Sequence, residues 1–400
     1  MSSTTIPLDV KSAEDHLMRF LAIEGLPGQE KAIGETVVDE LKKVGVPASA
    51  IRFDKVNERI PDPTQTGNLF VDLPGTRKGP RILFITHLDT VTLCAGAKPK
   101  REGNRIVSDG TTALGGDNRT GCAALVTLVE TLLKHKLPHP PLSLLFAVRE
   151  ESGIQGCRYM DPKDLNGATM GFNIDSRLAS DLITGAVGQE YWDVDIKGKA
   201  AHAGLAPEKG ISSILVAAVA LTEARRGGWF GKVVKPNGKG TSNAGVFRGK
   251  EGKPAGDATN VVTDYVHIKG EARSPDLPFA HAIAEGFREA FEKAKAEIKD
   301  ADGGTAEVKF VASHAYPPFN LETNTPAVQR AIRAAESIGM KPNTVFSNGG
   351  LDANWLVKHG LPTVSFGAGQ NEVHTVKEFV DLPEFAKGCQ LAVALATLEG

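Results

Sequence analysis

Histidine and carboxylate residues fall where strand patterns end. The β-rich run Arg81–Thr86, RILFIT, leads into His87-Leu88-Asp89. The apolar run Leu142–Val148, LSLLFAV, leads through Arg149 into Glu150-Glu151. GFNI leads into Asp175, and TVSF is followed closely by His374. Gly115-Gly116-Asp117-Asn118 opens a helical pattern, Arg119–Lys134. In open α/β sheets ligand sites form beyond the C-terminal ends of the strands, so these residues can converge in one crevice. Two imidazoles with several carboxylates suit Zn²⁺, Co²⁺ or Mn²⁺. In His87-x-Asp89 both side chains face the same way on an extended chain, and Asp89 can orient the His87 ring. Glu150 and Glu151 are adjacent, so a regular strand would point them oppositely; they divide the roles of ligand and general base. Asp117 sits in a Gly-rich turn where the backbone can approach a metal closely. Two divalent ions are balanced by Asp117, Glu151, Asp175 and one bound hydroxide. Dinuclear hydrolases hold their ions ~3.5–4 Å apart and lower the pKa of a bound water toward ~7.

The elements that carry these residues alternate. Residues 11–44 read as helix, broken at Leu26-Pro27-Gly28. Arg81–Thr86, Leu142–Val148 and Met170–Ile174 are apolar strands separated by helices, as in a parallel sheet covered on both faces. Near Val187 the texture changes. Tyr191–Lys197 alternates with period two, then come a helix (Ser212–Arg226), strand-like segments around Thr241–Phe247 and Val261–Glu271, a helix (Leu277–Lys299) and a strand, Glu307–Ser313. Strand–helix–strand–strand–helix–strand is a compact α+β sandwich. From Asn320 helices (Thr325–Gly339, Leu351–Lys358, Pro383–Leu398) again alternate with strands (Thr344–Ser347, Thr363–Phe366). The organisation expected is an α/β domain over 1–187 and 316–400, interrupted by an α+β, ferredoxin-like domain over 188–315. The lysine-rich stretch Lys232–Lys253 reads as a solvated loop.

Composition removes other classes. Among 400 residues, 46 Lys and Arg face 48 Asp and Glu, a net −2, without the basic surplus of a nucleic-acid binder. Aromatic residues make up 6%, which leaves little for base stacking. No apolar run approaches the ~20 residues of a membrane helix, and the first residues lack the pattern of a signal peptide. Cys94, Cys122, Cys157 and Cys389 lie far apart without a C-x-x-C, so a reducing cytoplasm is expected rather than a disulfide framework. No G-x-S-x-G elbow and no phosphate loop appears.

The ordered set His87-x-Asp89, Gly116-Asp117-Asn118, Glu150-Glu151, Asp175 and His374 resembles the signature of the dinuclear zinc exopeptidases that include peptidase T and glutamate carboxypeptidase. The resemblance spans essentially the whole chain, including Ala201-His202-Ala203-Gly204 in the inserted domain. It implies that Asp117 bridges two metals, with His87 and Asp175 on one and Glu151 and His374 on the other. It implies Glu150 as general base, Asp89 as the residue orienting His87, and a cis peptide after Asp117. The inserted domain becomes a lid and dimer interface, with His202 reaching a neighbouring active site to polarise the scissile carbonyl. Asn260 and Arg273 match lid positions that contact substrate. Asn348-Gly349-Gly350-Leu351-Asp352 resembles the loop that binds the peptide's C-terminal carboxylate, with Asn348 and Asp352 as contacts. Peptidase T has an arginine where this chain has Asn348, so strict tripeptide selectivity is not implied. Asp175, where relatives also use glutamate, leans toward aminopeptidases and dipeptidases.

The expectation is a cytoplasmic, homodimeric metallo-exopeptidase that removes N-terminal residues from short peptides with two divalent ions. Zinc is the first choice and cobalt or manganese the alternatives; neither nucleic acid nor membrane is a partner. An amidohydrolase, deacylase or carboxypeptidase of the same fold acting on N-acyl amino acids is the nearest rival. A catalytically silent peptide-binding protein is the rival from another class.

Overall fold

The computed structural model describes residues 6–399. Two compact units divide the chain: one runs to Ala186 and resumes at Phe319, and the other is Val187–Pro318.

The first unit is built on a nine-stranded mixed sheet with helices on both faces. Four neighbouring strands at its centre, in spatial order Leu142–Ala147, Ile82–His87, Met170–Ile174 and Thr363–Phe366, run parallel. Their C-terminal ends therefore open on one edge. Ile51–Phe53 and Leu69–Leu73 extend the sheet antiparallel beside Leu142–Ala147. Asp181–Ala186, Phe319–Asn320 and Asn343–Ser347 complete the far side. Ile82–His87 and Leu142–Ala147 are buried at every position, as a strand covered on two faces must be. Ile82 and Phe84 enter one core with the helices Val10–Leu21, Gly116–His135, Pro326–Ser337 and Leu382–Thr397. A smaller cluster joins Ile183, Ala186 and Phe319 to Leu351 and Ala353.

The expected break in residues 11–44 is real: helices Val10–Leu21 and Lys31–Lys43 flank a turn in which Gly28 takes φ +85°. A four-stranded antiparallel sheet (Lys100–Glu102, Arg105–Val107, Phe379–Asp381, Gln370–Asn371) has no counterpart in the sequence reading. Its strands are two or three residues long, too short to show a period.

The second unit is a five-stranded antiparallel sheet in the order Gly231–Lys235, Gly238–Arg248, Tyr265–Ser274, Gly188–Lys197, Glu307–Tyr316. Helices Ser213–Arg226 and Leu277–Glu297 share its core with Trp192, Val194, Ile196 and Ile268. Trp192 stacks on Phe287 at a centroid distance of 4.6 Å. Two expectations are corrected here. Lys232–Lys253 is mostly a hairpin rather than a loop, and it brings a fifth strand. Only Val233 of Gly231–Lys235 is buried, so the segment carries almost no apolar signal; its strand state comes from pairing with its neighbour. The strand expected at Val261–Glu271 is Tyr265–Ser274, so Arg273 lies within it and Asn260 in the loop before.

Among the described residues no helix is long and apolar enough to cross a membrane.

Candidate metal centre

His87 ends the strand Ile82–His87 and is enclosed. Its Nδ1 lies 3.0 Å from the main-chain oxygen of Asp89 and 3.3 Å from Asp89 Oδ1. A ring that donates from Nδ1 leaves the Nε2 lone pair for a metal. That Nε2 is 3.2 Å from Asp117 Oδ1 and 3.9 Å from Asp175 Oδ1. The other carboxylate oxygen of Asp117, Oδ2, is 3.4 Å from His374 Nε2, and the same Nε2 is 3.0 Å from Glu151 Oε1. Asp117 thus stands between two histidines with one oxygen toward each, and each histidine has a further carboxylate beside it. Ligand atoms of His87, Asp117 and Glu151 all lie within 4.8 Å of one another.

Local backbone geometry delivers these groups. Asp175 follows its strand directly, and its amide donates to Phe366 of the neighbouring parallel strand at 3.0 Å. Gln370 Nε2 donates to Asp175 Oδ1 at 3.3 Å. Gly115 takes φ +83°, the Asp117–Asn118 peptide is cis, and helical geometry begins only after Asn118. Asn118 donates to the carbonyl of Ile174 and accepts the amide of Gly121 at 3.0 Å, tying this turn to the strand that ends before Asp175. Glu150 and Glu151 lie beyond the strand, so strand alternation does not set their directions. The strand stops at Ala147, Arg149 turns into the left-handed region at φ +53°, and the pair lies in the bend that follows. Asp89 holds that bend: its carboxylate accepts the amides of Glu150 and Glu151 at 2.9 and 3.0 Å. His374 also sits in the left-handed region, at φ +63°, in the loop between Gln370–Asn371 and Phe379–Asp381. Such positions cluster where a fold fixes a side chain for use.

Residues 83–398 match the model of peptidase family M20/M25/M40. The chain belongs to this family. It is 35% identical to the uncharacterized protein YqjE of Bacillus subtilis over 330 residues, 82% of this chain and 84% of that protein. Two solved structures are similar over 98% of both chains: aminopeptidase PepT from Bacillus cereus, with TM-score 0.81 and 33% identity, and a tripeptidase from Staphylococcus aureus, with TM-score 0.86 and 26% identity. The chain is accordingly a hydrolytic peptidase of family M20/M25/M40, with a PepT-like fold.

The charges in this M20-family centre make it a candidate site for cations. Burial raises Glu150 and Asp175 well above the carboxylate range. Burial and then the charge of Asp117 push Glu151 up to about 7. Burial acts on Asp117 in the same sense, but hydrogen bonds from His374 and His87 outweigh it and hold that carboxyl below its usual range. Those bonds work on the rings too: Asp117 first, then Glu151, carry His374 up to about 10. Crowded acids held together by imidazolium protons are a donor set that divalent ions can occupy in the protons' stead. Two imidazole nitrogens and three carboxylates fit that role.

The remaining expected contacts divide between the two units. Within the Val187–Pro318 unit, His202 is exposed, and its loop meets that of Asn260 through a bridge to Val261 and an Ala203 amide donating to Asn260 at 2.9 Å. Arg273 is gripped by Glu271 through two hydrogen bonds of 3.0 and 2.9 Å. In the other unit Asn348 occupies the turn before the helix Asp352–Lys358. Asp352 opens that helix fully enclosed, its carboxyl pushed up to about 7 by burial, and its charge acts on Glu150 and Asp175. Three residues here carry no signal in the sequence reading. Gln370 reaches Asp175, Glu30 accepts the amide of Arg149 at 3.1 Å, and buried Arg119 donates to the carbonyls of Phe20, Leu88 and Ile23. Each acts on main chain or on a distant segment, which no local spacing reveals.

Proposed function

We propose that this protein is a dinuclear metal-dependent exopeptidase that removes N-terminal residues from short peptides, in the manner of a tripeptide aminopeptidase. The observation that carries the reading is Asp117, with one carboxylate oxygen toward His87 and the other toward His374. His87, Asp117 and Asp175 would hold one ion and His374, Asp117 and Glu151 the other, zinc first. Bound ions supply Lewis acidity, which favours deprotonation of a water and polarises a carbonyl. Glu150 takes the proton of the attacking water and returns it to the leaving amine. A carboxyl raised by burial suits both halves of that task. Asp89 keeps the Glu150 bend and the His87 ring in register. Asn260, Arg273 and Asn348 are the substrate contacts in this reading, with Arg273 toward a carboxylate. The Val187–Pro318 unit is the lid and the homodimer contact, and His202 serves the partner's active centre by polarising the scissile carbonyl. The reducing cytoplasm is the setting that suits four buried, free cysteines.

The test is a mass-spectrometric panel of di-, tri- and tetrapeptides, each with a free and an acetylated N-terminus. Each is assayed with zinc, cobalt or manganese and with chelator. Loss of N-terminal residues from free peptides alone, abolished by chelator and restored by metal, is the expected outcome. Cleavage confined to acetylated substrates would replace the aminopeptidase reading by the deacylase one. No cleavage under any metal would overturn the catalytic reading and favour a silent peptide binder.

A further inference from the structure

Glu378 follows His374 by four residues and precedes the strand Phe379–Asp381. Its carboxylate is 2% exposed, yet its hydrogen bonds come from main-chain amides. Oε2 accepts the amides of Leu114 and Gly115, both at 2.8 Å, and Oε1 accepts the amide of Asp117 at 3.0 Å. The loop that carries Asp117 is therefore pinned by the segment that carries His374. The glycines of that loop fit the same arrangement. A Cβ on Gly116 would lie 2.9 Å from Val380 Cγ2 and 3.2 Å from Glu378 Oε1, so a side chain there would push the carboxylate away. Burying a carboxylate is costly unless its lone pairs are satisfied, and three aligned donors offset that cost for this one.

We propose that Glu378 is a positioning residue for the metal centre: by holding the amides on both sides of Gly116, it fixes the Asp117 carboxylate against His374. The inference rests on the dinuclear reading, in which Asp117 must keep one oxygen on each ion. Glu378 is not among the residues that would hold the ions. It acts through the backbone of a glycine-rich turn, which has little stiffness of its own.

Metal-stripped protein is titrated with cobalt(II), following visible absorption and affinity by chelator competition, for wild type, Glu378→Gln and Glu378→Ala. Gln keeps the size and one acceptor oxygen, and it carries the test if the alanine variant does not fold. Glu130→Gln, which disturbs the half-buried hydrogen bonds to Ser12 and His16 far along the helix Gly116–His135, is the stability control. Loss of a group that orients metal ligands typically weakens binding or activity about 10–100-fold. Glu378→Gln should fall in that range, with an altered cobalt spectrum and a lowered kcat at unchanged KM. Glu378→Ala should be weaker still. The metal-free melting temperature of Glu378→Gln should fall no further than that of the control. Wild-type affinity and spectrum in Glu378→Gln would overturn the inference alone. A cobalt defect of equal size in Glu130→Gln would also overturn it, by reducing the effect to lost stability. Failure of wild type to take up cobalt would overturn the dinuclear reading and the inference with it.

Discussion

Asp89 serves two functional groups at once. It receives the Nδ1 proton of His87, and its two carboxylate oxygens accept the amides of Glu150 and Glu151. Asn at this position keeps the shape but turns an NH₂ toward one of those amides. One buried donor then loses its partner, a cost of about 1–3 kcal/mol. Asp89→Asn should lower stability by that amount in denaturant melts and reduce kcat at least about 10-fold, since ligand and base move together. Glu150 differs in kind, because it is assigned to move a proton rather than to hold a ligand. Glu150→Ala should bind metal with nearly unchanged stoichiometry while kcat drops about 10²–10⁴-fold. Near-normal turnover in that variant would remove Glu150 from the base role. These residues were legible as types at strand ends. The hydrogen bonds that give Asp89 its second task were not, because they depend on the bend at Arg149.

At the scale of elements, the decisive contact is between the helix Gly116–His135 and the strand ends it crosses. Gly121 allows it. A Cβ there would lie 2.0 Å from Thr86 Oγ1 and 2.8 Å from the Ile174 carbonyl, both in strands that end at site residues. Gly121→Ala should destabilise the protein by at least about 2 kcal/mol, an overpacking cost, and should depress activity in the surviving folded fraction. Equilibrium unfolding and kinetics on that fraction would check it; a neutral substitution would mean the helix can shift. The strands flanking this contact were readable because they are continuous apolar runs. The strand Gly231–Lys235 escaped notice for the opposite reason: only Val233 in it is buried, and pairing with Gly238–Arg248 makes it strand.

For the whole molecule, the insertion point is informative. Phe319 pairs antiparallel with Ala186, so the chain leaves and re-enters the first unit at adjacent residues. Each unit also has its own buried core. Such units commonly fold alone. Replacing Val187–Pro318 by a short turn should leave a protein that melts cooperatively and takes up cobalt, with peptide turnover lost because His202, Asn260 and Arg273 are gone. Failure of the shortened protein to fold would show that the first unit needs the second for its stability. In the separate Val187–Pro318 unit, Trp192 packed on Phe287 and Phe310 should report cooperative unfolding by fluorescence.

The sequence by itself determined which chemical groups are available and the order of the elements that bear them. Apolar strand runs ending in His87, Glu150-Glu151 and Asp175 carry their own periodicity, and hydrophobic burial decides their state. Parallel pairing of those strands then brings residues far apart in the chain to one edge. Tertiary structure alone decided the rest. It set which oxygen of Asp117 faces which histidine, turned Glu150 and Glu151 off the strand, and brought Glu378 behind the glycine-rich loop. Those outcomes are made by hydrogen bonds between side chains and distant main chain, and such bonds leave no pattern along the chain.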